Sequence, residues 1–253
     1  MKRSLEVLFT PADFAALSAR DLSHATCVVF DVLRFTSTIV TALANGAAAI
    51  IPVAEIPDAL ALKQRQPDVL LGGERNGVRI CADLTGGLEF DLGNSPREYS
   101  AAKVAGKTIV ATTTNGTRAL RACAGAKATF VCSFLNLGAT RQYLEAQPPD
   151  HLLLVCSGTH DQAAYEDTLA AGALCDLLWP LYENTEIADS ALIARQLYLQ
   201  AKANLAGAAQ QSRNARRLLA LPELRDDVAF CLRKDVFNLV ACLDSSGRVV
   251  KAG

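Results

Sequence analysis

Eight short apolar runs punctuate the chain and read as β-strands, at residues 5–9, 27–30, 49–53, 69–71, 108–111, 129–132, 152–156 and 236–243. Between most of them the apolar positions recur at helical spacing, over 38–45, 56–64, 117–124, 137–146 and 165–178. Strands alternating with helices predict βαβ crossovers, and hence an α/β fold with a largely parallel sheet. Runs such as "LLLVC" (152–156) are apolar at consecutive positions, as expected of strands covered on both faces. Residues 187–230 read as a helical region with breaks at Gly207 and Pro222. The chain then closes on "VFNLVACL" and "RVVK", a hairpin turning at "DSSG". No low-complexity linker divides the chain, so the expectation is a single α/β unit, or two intimately joined lobes of about 1–125 and 126–253.

A weak internal repeat runs through the pattern. With residue 28 set over 154, "VVFD" lies on "LVCS" and "ALANGA" (42–47) lies on "TLAAGA" (168–173) without gaps. A third partial copy is "TIVATTTNGTRALRACAGA" at 108–126. Each copy is a strand, a hydroxyl-rich loop, a helix and an exit ending in Gly-Ala. Any two βα units share much of this. The functional alternative is three similar loops along one edge of the sheet, beyond the carboxyl ends of the strands, where α/β folds bind ligands and helix N-termini attract anions.

Charge narrows the partners. Lys plus Arg total 25 against 26 Asp plus Glu, with no basic block, which argues against nucleic acid and leaves anion binding to a local site. Eight cysteines include no CxxC pair, and Cys27, Cys132 and Cys156 fall inside strand-like runs as small buried hydrophobes. The short run after Lys2 and Arg3 carries Glu6, unlike a signal peptide, and the longest apolar stretch (47–54) is far short of a membrane span. The expectation is a soluble cytoplasmic protein without membrane contact. Its C-terminal helices either close the sheet within one chain or contact a partner, as in a homodimer.

Several polar clusters stand at strand ends. Asp31 follows the run 28–30, with Arg34, Thr36, Ser37 and Thr38 behind it. A carboxylate there needs compensation, from Arg34, from a capping role or from a metal; the remaining alternative is a nucleophile. A haloacid-dehalogenase reading fails, because that pattern needs a second Asp two residues on and Leu33 stands there. In "LGGERNG" (71–77) two glycines after a strand suggest a sharp turn that presents Glu74, Arg75 and Asn76, either to a ligand or to solvent. The aperiodic stretch 72–96 is too apolar for disorder and ends in "FDLGNSPREY", where Asn94 and Ser95 precede Pro96 as a helix start. "TTTNGTRAL" (112–120) is a polar nest, an anion site or an ordinary N-cap, with Arg118 in the first helical turn. On the helix expected from about Ala164, Glu166 shares the apolar stripe, while Asp167 is rotated by about 100° into a supporting or dipole-pairing position. His160 lies in the loop before it, as a surface residue or a functional one. Asp31, Glu74 and Glu166 thus bring three carboxylates from three loops, without a His or Cys cluster. An all-oxygen site of this kind suits Mg²⁺, and Arg34, Arg75 and Arg118 are candidate anion ligands.

Taken in order, "DVLRFTST", "GERNG", "FDLGNSP", "TTTNGTRAL" and "CSGT…ED…AAGA" resemble the 2-phosphosulfolactate phosphatase family over residues 26 to about 178. Beyond about residue 185 the likeness is general. The resemblance implies a three-layer α/β/α fold with internal duplication. It also implies Mg²⁺-dependent removal of phosphate from 2-phospho-3-sulfolactate, a small anionic substrate, to give 3-sulfolactate on the way to coenzyme M. It assigns Asp31, Glu74 and Glu166 to the metal, and Arg34, Arg75, Asn94, Thr114, Asn115 and Asp167 to the substrate pocket. The nucleophile is metal-bound water or Asp31. The alternatives are a phosphatase for another phosphorylated 2-hydroxy acid and a non-catalytic binder of anionic metabolites. Two positions depart from the family pattern, Glu89 before the Phe of "FDLGNSP" and Ser157 in place of Ala.

Overall fold

A computed structural model describes residues 3–252. The strands are β1 (Ser4–Leu8), β2 (Ala25–Phe30), β3 (Ala49–Pro52), β4 (Leu70–Arg75), β5 (Val78–Arg79), β6 (Thr108–Thr112), β7 (Ala128–Cys132), β8 (His151–Cys156), β9 (Glu186–Ile187), β10 (Ala241–Leu243) and β11 (Val249–Lys251). All join one mixed sheet in the order β5-β4-β6-β3-β11-β10-β7-β2-β8-β1-β9. Both edge strands are two residues long, which leaves little free edge for a foreign strand to pair with.

Two parallel groups make up this sheet, β4–β6–β3 and β7–β2–β8–β1–β9. The C-terminal hairpin β10–β11 lies between them, antiparallel to β7 on one side and to β3 on the other. Counting the reversals, the two groups run in opposite senses. Twist of roughly 20–25° at each strand step turns one group relative to the other. Loops from the carboxyl ends of both then reach a common cavity, described below.

Side-chain alternation assigns the layers. Val28, Phe30, Leu152, Leu154 and Cys156 face a core closed by the helices Tyr165–Tyr182 and Asp189–Ala201. Cys27, Val29, Leu153 and Val155 face the opposite core, under the helix Phe35–Ala44. A smaller core around Leu71, Val110 and Ala59 seats the helix Ile56–Arg65 against β4 and β6. The result is the expected three-layer α/β/α arrangement, with helices filling the C-terminal region from Asp189 to Cys231. The three repeated units each give strand, loop and helix: β2 leads to Phe35–Ala44, β6 to Gly116–Ala122 and β8 to Tyr165–Tyr182. No helix among the described residues is long and apolar enough to cross a membrane.

Two local expectations change. The chain does not turn at Gly72 and Gly73 but stays extended to Arg75, and the turn falls on Asn76 and Gly77, with φ of 55° and 80°. Asn-Gly is the pair that tight hairpins demand, since both central residues need positive φ. The run 236–243 forms a strand only over Ala241–Leu243; ahead of it the Phe237 amide is tied to the Leu135 carbonyl at 2.9 Å instead.

Close helix contact depends on Gly172. A Cβ there would lie 2.1 Å from the carbonyl oxygen of Ala194. Gly172→Ala should therefore force apart the helices Tyr165–Tyr182 and Asp189–Ala201 and cost about 2–4 kcal/mol, although alanine favours helix. Urea denaturation of the variant measures this, and an unchanged midpoint would show that the helices separate freely.

Candidate active site

One cavity gathers the strand-end loops. It encloses about 590 Å³ of space, part of it open to solvent, and is lined by Asp31 and Arg34 after β2, Glu74, Asn76 and Gly77 around the β4–β5 turn, Asn94 from the loop before β6, Thr114 and Asn115 after β6, Gly158 to His160 after β8, and Asn214, Arg217 and Leu218 from the helix Arg213–Leu219. Asp31, Arg34, Glu74, Asn94, Thr114 and Asn115 therefore converge from separate segments of the sequence.

At the mouth of β2 lies Asp31, which is buried. Its backbone carbonyl accepts from the Thr36 amide at 2.9 Å and the Thr36 hydroxyl at 2.9 Å. Its side-chain Oδ1 accepts from the Phe35 amide at 3.1 Å, so the first turn of the helix Phe35–Ala44 fixes the carboxylate. Among the described residues no donor is bonded to Oδ2, though the Ser157 hydroxyl, which donates to Asp167, stands close enough to the Asp31 carboxyl to lower it. Gly116 packs directly against Oδ2, where a Cβ would come within 2.5 Å. Burial pushes the Asp31 carboxyl up to about 7, the Phe35 amide opposes the rise, and the charges of Glu74 and Glu166 add to it.

The other acids are satisfied to different degrees. Glu74 is fully engaged: Oε1 accepts from the amide and hydroxyl of Thr114, both at 2.9 Å, and Oε2 from the Gly77 amide at 2.6 Å. Thr114 thus lines the cavity with both its donors spent on Glu74. Asp167 faces inward rather than toward the substrate pocket. Its Oδ1 accepts from the Val32 amide at 2.8 Å, and its Oδ2 from the Ser157 hydroxyl at 3.0 Å and the Gly158 amide at 3.3 Å, tying the β2 and β8 loops together. Burial raises its carboxyl well above the ordinary range, and the neighbouring Glu166 and Asp31 raise it further. Ser157 supplies one of these donors.

Glu166 stands behind the cavity, in an adjoining cleft lined also by Tyr165, Ser212 and Arg213. Its Oε1 accepts from Asn214 Nδ2 at 2.6 Å, while its buried Oε2 has no partner. Burial is the main cause that raises its carboxyl. Asn214, which also donates to Thr159 at 2.7 Å, lines both spaces and links them. Asn115 Oδ1 is a second buried acceptor without a partner. Among the described residues, no three His, Cys, Asp or Glu side chains are set as a cage for a metal ion. The acceptors left without a bonded donor are Asp31 Oδ2 and Asn115 Oδ1 at the cavity and Glu166 Oε2 at the adjoining cleft.

The arginines part company. Arg34 does not bridge to Asp31; its guanidinium donates to Asp227 at 2.7 Å and to the Gly77 carbonyl at 2.5 Å. Arg34 and Asp227 are 3% and 0% exposed, a fully buried ion pair. Asp227 also accepts from the Ser95 hydroxyl at 2.7 Å and has Arg97 at 3.6 Å. Arg75 turns from the cavity to Thr112 at 3.1 Å and Glu55 at 3.9 Å, because successive residues of a strand face opposite ways. Arg118 lies outside the lining, half exposed beside Asp161 at 3.6 Å. Sequence reasoning missed Asn214, Arg217 and Asp227. Nothing local marks them, since "RNARRLL" reads as an ordinary surface helix. His160, left open between two roles, lines the cavity in a left-handed conformation with φ of 48°.

A family model described as 2-phosphosulpholactate phosphatase matches residues 13–246. Proteins named "Probable 2-phosphosulfolactate phosphatase" resemble the chain along most of their length. That of Thermotoga petrophila is 41% identical over 226 residues, covering 89% of this chain and 92% of the relative. That of Symbiobacterium thermophilum is 38% identical over 234 residues, covering 92% and 96%. That of Clostridium acetobutylicum is 33% identical over 220 residues, covering 87% and 89%. The family match runs well past residue 178, where the recognisable motifs stop, and takes in the helices that carry Asn214, Arg217 and Asp227.

Two stability measurements test this geometry. Asp227→Ala strands the buried Arg34 charge and should cost about 3–5 kcal/mol in chemical denaturation, far more than removal of an exposed pair. Asp31 gives a pH signature in metal-free protein. Its folded pKa lies above its unfolded one, so the native state holds the proton more tightly and loses stability as pH rises from about 4 to about 7. Asp31→Asn removes this slope, and should be more stable than the parent at pH 8 by roughly 2–4 kcal/mol while the gap closes near pH 4. Parallel stability–pH curves for the two proteins would contradict the burial argument.

Proposed function

The chain belongs to the 2-phosphosulfolactate phosphatase family, and on that premise we propose that its cavity hydrolyses the phosphate monoester of 2-phospho-3-sulfolactate to 3-sulfolactate and phosphate with the help of Mg²⁺. The observation that carries this reading is the buried Asp31 carboxylate, open at Oδ2 to the cavity and repelled by two neighbouring acids, with the nearest buried guanidinium committed to Asp227. Such a concentration of negative charge calls for a cation, and a phosphate ester brings none of its own.

Mg²⁺ suits the donors present. It takes oxygen ligands, usually one or two carboxylates, and fills its remaining positions with water and substrate phosphate. A closed protein cage is therefore not required. Asp31 and Asn115 would hold the ion from the cavity, and Glu166 would reach it from the adjoining cleft through its partnerless Oε2. When bound, it would neutralise charge on the phosphate oxygens and on the departing alkoxide.

The chain's own residues supply position. The Phe35 amide aims the Asp31 carboxylate, and Glu74 pins Thr114 so that Asn115 is presented to the cavity. Arg34 has five N–H groups, and the two bonds to Asp227 and Gly77 hold its fork rigid while its free face binds substrate oxygens. Water attacks phosphorus, the bond from phosphorus to the C2 oxygen of the substrate breaks, and one proton of the water passes to that oxygen, so that the free 2-hydroxyl and hydrogen phosphate are released. Water is favoured over Asp31 as nucleophile because Oδ1 is held by the Phe35 amide and Oδ2 is assigned to the ion, which leaves Asp31 no free oxygen to attack with.

Phosphate release from 2-phospho-3-sulfolactate tests the proposal directly. Activity should require Mg²⁺ and vanish with chelator, and Asp31→Asn should lower kcat/KM by about 10²-fold or more. Glu166→Gln should weaken Mg²⁺ binding roughly tenfold in calorimetry. Acid quench with labelled substrate should yield no labelled protein at any time. Turnover that persists in chelator would remove the metal from the scheme, and turnover only of other phosphorylated 2-hydroxy acids would reassign the substrate.

A further inference from the structure

The cavity holds a second arginine that is ion-paired with no acid among the described residues. Arg217 lines it from the helix Arg213–Leu219, one turn beyond Asn214 and on the same face. Its guanidinium donates to the Asn76 carbonyl, a neutral acceptor. It rests over Gly77, where even an added Cβ would remain 3.8 Å away. No Asp or Glu among the described residues comes within 4 Å of it, whereas the Arg34 charge is cancelled by a fully buried Asp227 and Arg118 has Asp161 beside it. The two arginines that line the cavity therefore differ. One is neutralised and rigid, deep in the fold; the other is charged, at the rim, and held only by a backbone carbonyl on the hairpin turn.

We propose that Arg217 is the specificity-determining residue of the site, binding an oxyanion that the substrate carries besides its phosphate. This rests on the phosphatase reading above. A substrate with a phosphate, a carboxylate and a sulfonate has two anionic groups left once the phosphate is engaged. Both are singly charged oxyanions whose oxygens match the fork of a guanidinium. Arg34 meets one from within the cavity and Arg217 meets the other from the rim. The charge of Arg217 is available because it has no acidic partner to give up, so pairing with the ligand costs only its bond to Asn76. The C-terminal helix would thus recognise the part of the ligand that does not react, while the strand-end loops handle the part that does.

The test compares wild type with Arg217→Met and Arg217→Lys, both at an exposed helical position that folding tolerates. Three substrates are used: 2-phospho-3-sulfolactate, phospholactate (no sulfonate) and O-phosphoisethionate (no carboxylate). Arg217→Met should lose roughly 10- to 100-fold in kcat/KM on the full substrate, mainly through KM. It should lose as much on one truncated compound and little on the other, and the compound that is spared identifies the group Arg217 binds. Arg217→Lys should recover part of the loss. Equal losses on all three substrates, or no loss on the full one, would overturn the inference. Calorimetric binding of 3-sulfolactate, which carries no phosphate, gives a second readout independent of turnover. If the wild type binds it and Arg217→Met binds it at least tenfold more weakly, the inference stands even where phosphate release fails and the phosphatase reading falls. Equal binding by the two proteins would overturn it.

Discussion

Buried negative charge governs the active end of this protein. Asp31, Glu74, Glu166 and Asp167 are all buried, in or beside the cavity, and each must be answered by donors, by protons or by a cation. The fold answers two of them completely. Glu74 is closed by Thr114 and Gly77, and Asp167 by Val32, Ser157 and Gly158. The other two are answered by half. Asp31 has the Phe35 amide on one oxygen, and Glu166 has Asn214 on one oxygen. The satisfied pair are girders that bind loops to each other. The half-satisfied pair leave an acceptor each without a bonded donor, at a cost in stability.

The same logic explains how remote segments are brought to the cavity. The β4–β5 turn is held from two sides, by Arg34 on the Gly77 carbonyl and by Arg217 on that of Asn76. Asp227, on the helix Arg225–Cys231, neutralises Arg34 and gathers Ser95 from the long loop after β5. The helices after Asp189 are therefore part of the site's frame as well as a cover for the sheet. The last hairpin reinforces this, since β10–β11 sits at the centre of the sheet and joins two parallel groups that otherwise share no strand pairing. A chain without its final segment would lose the seam between its halves.

Much of this was legible in the sequence, for identifiable reasons. Strand ends followed by polar loops and helical periodicity are local signals, and they placed Asp31, Glu74, Thr114 and Asn115 at the cavity and Asn94 beside them. The stripe argument put Glu166 inward on its helix and turned Asp167 to a supporting role, and the hydrogen bonds of Asp167 give it that role. Arg75 and Arg118 went astray because a motif fixes spacing, whereas facing depends on the pleat of β4 and on the pitch of a short helix. The helix carrying Arg217 was read only as a helix. Its part in the cavity arises from contacts distant in sequence, with Asn76, 141 residues away, and with Thr159, 55 residues away, and no local pattern encodes such distances. The position of the closing hairpin was illegible for the same reason: its turn is written in "DSSG", but its neighbours in the sheet are not.

The division between legible and illegible residues follows a physical line. The groups proposed to act on the phosphate sit where backbone geometry alone delivers them, at strand ends and helix starts, and so their spacing along the chain is constrained. The group proposed to choose among ligands comes from a helix that tertiary packing brings to the cavity, and any element packed there could carry it. Arg34 shows the boundary between the two. Its place after β2 is set by local structure, but its charge state as a ligand is set by Asp227, 193 residues away in sequence and buried completely. An arginine neutralised in this manner contributes hydrogen-bond geometry more than net attraction. The electrostatic pull on an anionic ligand must then come from elsewhere, from a bound cation or from a charge left free, and Arg217 is the free charge the fold provides.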